Sequence, residues 1–335
     1  MVAWRFFVSI GHAVVNNPRL LAAVTIVFWS FTAFLTRSIS MRAQVALLVI
    51  SFSFSFTTLL IYFLFLRPRP APRRFAPLRL SYVLIGPLGY FVYAVALFQS
   101  YHAFQSASQT TVLNYTWPLF TVLFTEALFR HGTPRGLGRG MIEGAGILIG
   151  FLAILVLATE GRLTTLSFSN VPGVAWGLLA GVSYGLFSAY SSTVTREEQS
   201  TFLLTSVGTS IVLVTVTAAL TGEIRLLGTL AARDILFPAI WGCVGNGLGY
   251  VFWTRANRLA REQGIGASSI ASAMFILPLT ALVIVALLLG ESQLLRPYFA
   301  ASLGLILLGS ALCQKAPVVA AWLSRRQSSP VQGIE

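Results

Sequence analysis

The chain has 335 residues, of which 23 are basic and 10 acidic, for a formal net charge of +13. Hydrophobic residues make up 56% and charged residues only 10%, and the mean hydropathy is +0.79. A soluble domain cannot hide that much apolar surface, and a nucleic-acid surface is excluded because the basic residues lie between apolar runs rather than on one solvated face.

An all-α membrane protein is therefore expected, with the bilayer as a partner. Residues 1–19 carry Trp4, Phe6 and Phe7 without a signal-peptide pattern, and read as an interfacial cytoplasmic segment. Ten apolar spans follow, near 20–38, 43–66, 80–100, 107–129, 141–158, 173–194, 201–220, 234–256, 265–289 and 297–314. Residues 315–335 read as a cytoplasmic tail.

Two spans repeat. Ala107, Ser108, Pro118 and Leu119 of span four match Ala267, Ser268, Pro278 and Leu279 of span nine at an offset of 160. The same offset places Leu88, Gly89, Tyr90 and Ala96 of span three on Leu248, Gly249, Tyr250 and Ala256 of span eight, and Tyr93 on Trp253. This predicts two five-helix repeats, residues 20–158 and 173–314. With the N-terminus inside, the inner connections hold 17 basic residues and the outer ones 6, which places both termini in the cytoplasm. Five spans per half, an odd number, requires the copies to be inverted, and corresponding loops do carry opposite charge biases. Inverted repeats point to alternating access around a central cavity.

Local features follow the chain. Gly86, Pro87 and Gly89 in span three, and Gly242, Gly245, Gly247 and Gly249 in span eight, predict bent or closely packed helices. Gly177, Gly181 and Gly185 in span six form a small-residue face. Pro118 and Pro278 are expected hinges in spans four and nine. Cys243 and Cys313 lie within apolar spans and suggest neither a disulfide nor a metal site. The Gly245–Gly249 glycines imitate a nucleotide loop but sit in a membrane helix, and Asn114-Tyr115-Thr116 imitates a glycosylation acceptor but lies inside the bilayer.

Catalysis is not expected. His12, His102 and His131 lie near span ends or in loops, as do the acidic residues, and no span holds an ionisable group clearly at mid-depth. No cofactor is implied. The recurring feature is aromatic: Tyr90 and Tyr93 on span three, Asn246, Tyr250 and Trp253 on span eight, with Trp29 on span one and Tyr184 on span six. Thr110, Asn114, Trp117, Thr121 and Thr125 share one face of span four. The set reads as the lining of a weakly polar cavity for a neutral or amphipathic solute, against ordinary packing and interfacial belts for any single ring. Glu126 and Glu143 offer either an ion-pair gate or simple interfacial pairing with the Arg130–Arg139 connection. Gln99, His102 and Gln105 mark the outer end of span three.

The ten spans, the five-plus-five repeat, NYTWPLFTVLF in span four and FILPLTALVIVALLLGE in span nine resemble the drug/metabolite transporter superfamily, EamA type, over residues 20 to 314. Asn114-Tyr115-x-Trp117-Pro118 is similar to span four of the YddG-type aromatic amino acid exporters. The resemblance implies an inner-membrane exporter of amino acids or similar metabolites, with Asn114, Tyr115, Trp117, Pro118 and Trp253 lining or shaping the cavity. The chain departs from the pattern at His131, where the repeat has Glu291, and in the basic PRPAPRR loop. Two other readings stay open: a different solute, and a bundle that transports nothing and is packed solid between Tyr90, Trp117 and Trp253.

Overall fold

A bilayer offers the backbone no hydrogen-bond partners, so apolar runs that enter it must satisfy their own amides as helices. The computed structural model describes residues 16–37, 44–66, 76–104, 107–129, 136–166, 169–289 and 296–328, and every regular element among them is helical. Trp4, His12, Gln105, Arg130, His131, Arg135, Glu291 and the PRPAPRR loop lie outside the described residues.

The elements run in chain order. Helix α1 is Pro18–Arg37, and α2 is Gln44–Ile61, continued by a π-helical turn Tyr62–Leu66. Helix α3 (Leu80–Pro87) passes through a π segment, Leu88–Val92, into α4 (Tyr93–Phe104). Helices α5 (Ala107–Asn114) and α6 (Trp117–Leu128) are separated by a turn at Tyr115-Thr116. Then come α7 (Leu137–Ala158), α8 (Val171–Ser191) and α9 (Gln199–Leu220). Helix α10 (Ala232–Trp241) runs through the π segment Gly242–Gly249 into α11 (Tyr250–Glu262). Helix α12 (Ala267–Ala271) leads by a 3-10 turn, Ser272–Ile276, into α13 (Leu277–Leu289), and α14 is Pro297–Ser328.

Among the described residues seven helical runs are long and apolar enough to cross a membrane, so the chain is a multi-pass membrane protein. The three expected spans outside that set have identifiable reasons. Span four is broken by the turn at Tyr115-Thr116, and the apolar parts described of spans one and nine are short, Pro18–Phe31 and Ala267–Ala281. The last helix does not stop at 314: it continues past Pro317 to Ser328, so the expected tail is mostly helical.

Small residues set the packing. Helices α7 and α14 cross antiparallel: Cys313 approaches the Glu143 carbonyl at 3.5 Å, and Ser302 Oγ donates to Ala153 O at 2.8 Å. Between those points Gly309 lies against Gly146 and Gly150. The Gly177, Gly181 and Gly185 face of α8 receives Leu113, Thr116 and Phe120 from the broken span four, as the spacing predicts. Helix α2 packs on α9 and on the Gly242–Gly249 segment, while α9 packs on α3. Helix α1 packs on α11 and α13, where Ser30 hydrogen-bonds Thr280, and α8 packs on α4 and α6.

A Cβ at Gly309 would sit 2.5 Å from the Gly146 carbonyl oxygen, whereas one at Gly304 meets nothing within 4 Å. Gly309→Ala is therefore expected to cost about 1–3 kcal/mol of stability by overpacking. Gly304→Ala should be neutral or slightly stabilising. Thermal unfolding of the two variants in detergent checks the contrast.

Candidate functional site

The centre of the bundle is built where spans three and eight cross. Both are irregular there. A π segment widens the helix by one residue and leaves carbonyls without their usual partners. In span eight the Gly245 and Asn246 carbonyls are reached from other helices: Trp29 Nε1 donates to Gly245 O at 3.0 Å, and the Tyr90 hydroxyl donates to Asn246 O at 3.1 Å. In span three the Gly89 carbonyl accepts from the Tyr250 hydroxyl at 2.6 Å. Tyr90 and Tyr250, at equivalent places 160 residues apart, thus each bond the other's helix, with ring centroids 4.2 Å apart.

Around this crossing the expected aromatic residues come together. Trp29 lies edge-on to Trp117 at 6.4 Å and to Tyr184 at 5.9 Å, and within 5.9 Å of Trp253. Trp117 contacts Tyr184 at 5.1 Å and Trp253 at 5.5 Å, both edge-to-face. Tyr93 packs on Tyr184 at 4.8 Å, with its hydroxyl toward the Asn114 side chain. These centroid distances and mostly edge-on angles are those at which aromatic pairs attract. Trp253 is fully buried, and its Nε1 donates to Ser188 Oγ at 3.0 Å.

Two residues also serve other parts of the protein. Tyr115 turns away and is buried with Ile147, Ile154 and Phe275 in a second apolar cluster, because residues one apart on a helical turn point to different sides. The Asn246 amide is spent on the protein, its Nδ2 donating to Ser51 Oγ at 3.2 Å. Pro278 follows a 3-10 stretch, Ser272–Ile276, that runs into α13 without a break, whereas Pro118 occupies the second position of a helix that restarts after the Tyr115-Thr116 turn. At that position the missing proline N–H costs no intrahelical bond.

The open cavity expected between the halves is filled by the rings expected to line it. What remains is a cavity with about 20 Å³ open to a water-sized sphere, bordered by Phe52, Tyr90, Tyr93, Trp241, Asn246 and Tyr250. That holds about one ordered water and no organic solute. Several buried polar atoms nearby have no hydrogen-bond partner: Asn114 Oδ1, the Tyr184 hydroxyl, and the Ser268 and Ser269 hydroxyls. Buried polar atoms are nearly always bonded, so such a group marks strain or a place for water or ligand. Of the two acids weighed as a gate, Glu143 is 4% exposed and pairs with Arg139 at 2.8 Å, which is the interfacial pairing reading.

Sequence reasoning missed Ser51, Ser188 and Phe187, which hold or pack the cluster. It also missed buried Gln199, whose Nε2 donates to Val251 O at 2.9 Å and Thr254 Oγ1 at 2.8 Å. Ser188 was readable in principle, because it sits one turn beyond Tyr184 on the same face.

No family model matches the chain, and no curated protein matches it. Its fold is similar to that of a protein of known crystal structure, at a TM-score of 0.68 and 19% identity, over 93% of this chain and 99% of the other. At that identity the likeness concerns the fold alone.

The two tyrosines make a paired prediction. Tyr90→Phe and Tyr250→Phe each strip a buried carbonyl of its donor and should each cost about 1–3 kcal/mol. Tyr184→Phe removes a hydroxyl that serves no backbone carbonyl, its polar neighbours being Tyr250 and Ser188, and should cost less than either. Melting temperatures of the three variants decide this.

Proposed function

We propose that this chain is a secondary transporter, an exporter of amino acids or similar small metabolites, built as two inverted five-span repeats. The observation that carries the reading is the reciprocal Tyr90–Tyr250 crossing, where each of two equivalent residues caps a carbonyl in the other's irregular span. Two further pairings support it. Helices α7 and α14, which correspond at the 160-residue offset, cross antiparallel about Gly146 and Gly309. Spans four and nine, which also correspond, both depart from regular α-helix just before Pro118 and Pro278, by a turn in one and a 3-10 stretch in the other. Paired broken helices near the midplane are how many transporters place a solute.

The solute class follows from the lining. Trp29, Tyr93, Trp117, Tyr184, Tyr250 and Trp253 offer ring faces, Asn114 and Tyr184 offer unspent polar atoms, and none of these groups is a carboxylate or a base. Such a set suits a neutral or aromatic small molecule. The reading takes the closed packing as an occluded conformation, in which rings occupy the space the solute would fill. The resemblance to EamA-type transporters agrees with it, and the arginine bias favours an inner membrane with both termini cytoplasmic.

The packed centre also favours a second reading, a bundle that transports nothing. Uptake of labelled aromatic and neutral amino acids into proteoliposomes separates the two. Wild-type protein is expected to transport at least one of the panel, and Trp117→Ala and Trp253→Ala to lose it while still inserting. Absence of transport across the panel removes the amino acid reading. Unchanged transport in both variants removes the aromatic centre as the solute path.

A further inference from the structure

Helix α11 ends in a second cluster that the aromatic centre does not use. Arg255, Arg258 and Arg261 follow one another at three-residue intervals over its last two turns. Successive members are rotated by about 60° around the helix axis, so the three share one side of it. None is fully neutralised. Arg258 is 7% exposed and pairs with Glu262 through Nη1 at 3.0 Å, yet its Nε has no partner. Arg255 reaches Asn16 Oδ1 at 3.5 Å through Nη2 and also bonds the Tyr62 hydroxyl, yet its buried Nε is likewise unbonded. A buried Nη1 of Arg261 bonds nothing. Arg196 adds a further positive charge near Arg255, and Glu198 is engaged by Arg79 and by the Thr195 amide at 3.1 Å.

A buried guanidinium with idle N–H groups is among the least tolerable groups in a membrane protein, since neither water nor lipid tail can solvate it. Arginines that merely mark the inner face snorkel their charge outward. Here the idle donors are buried in the protein instead. Three guanidinium groups on one side of the helix, each with a buried N–H to spare, suit a group with several oxygens in different directions, which a phosphate has and a single carboxylate lacks. The apolar part of the span ends just above, at Trp253, so the cluster also lies at the depth of lipid headgroups.

We infer that Arg255, Arg258 and Arg261 form a binding site for a phosphate group at the arginine-rich end of span eight. The phosphate belongs either to an anionic lipid headgroup or to a soluble phosphate. This site does not rest on the transport reading and would stand if that failed.

The test uses the full-length protein, delipidated in an uncharged detergent. Its melting temperature is followed against inorganic phosphate in one arm and phosphatidylglycerol in the other, for wild type, Arg261→Gln and Arg261→Lys. Wild type is expected to melt higher as ligand is added. Arg261→Gln should weaken the apparent affinity at least tenfold, and Arg261→Lys less so. A shift with inorganic phosphate identifies a soluble ligand, and a shift with phosphatidylglycerol alone identifies a headgroup. Because the buried Nη1 of Arg261 bonds nothing, ligand-free Arg261→Gln should melt no lower than wild type, which separates binding from a structural role. No shift in either arm for wild type, or an equal shift in Arg261→Gln, overturns the proposal.

Discussion

Backbone carbonyls freed inside the membrane must find donors within the protein, and the centre of this molecule is organised by that demand. The π segments Leu88–Val92 and Gly242–Gly249 are its sources. Gly89, Gly245 and Asn246 present carbonyls that accept from Tyr250, Trp29 and Tyr90. Tyr and Trp suit the task because each carries one donor on a large apolar body that can remain buried. The glycines serve the same crossing: a side chain at Gly249 would collide with Trp29, and one at Gly89 with Phe187. The aromatic cluster is thus a hydrogen-bonding device first, and its ring packing follows from where the donors must stand.

This arrangement bears on how such a bundle would move. Each of the three bonds joins different spans, so separating spans three and eight breaks at least two of them together. Unmet carbonyls would then need water or solute, which ties any opening of the centre to the arrival of a polar group. The turn before Pro118 and the 3-10 stretch before Pro278 offer compliance beside the cluster.

Much of this was legible in the residues. Long apolar runs marked the membrane helices, and a single offset of 160 aligned Tyr90 with Tyr250 and Pro118 with Pro278, the first pair of which meets in the structure. The recurrence of ring residues on spans three and eight announced the cluster. Its packing was less legible, because a face of Tyr and Trp reads alike whether the rings line a space or fill it. Asn246 borders the remaining space, and its amide also serves the packing by donating to Ser51 of another helix, which its own span does not announce. The π segments had only an indirect sign, in the Gly-Pro and multiple-Gly runs, since they arise from tertiary crossing more than from local propensity. The packing of the Tyr115 ring with the α7 side was not legible, because the chain turns beside it.

Reagent access to the buried centre addresses the proposed mechanism most directly. Ser188 is 0% exposed and bonded to Trp253, so a cysteine there is shielded in the packed conformation. With Cys243 and Cys313 replaced, Ser188→Cys can be treated in membranes with a charged thiol reagent added to one face at a time. Alternating access predicts modification from each face, with rates that shift in opposite directions when a transported solute is present. A cysteine that stays unmodified from both faces, with and without solute, would contradict it and leave a bundle that never opens.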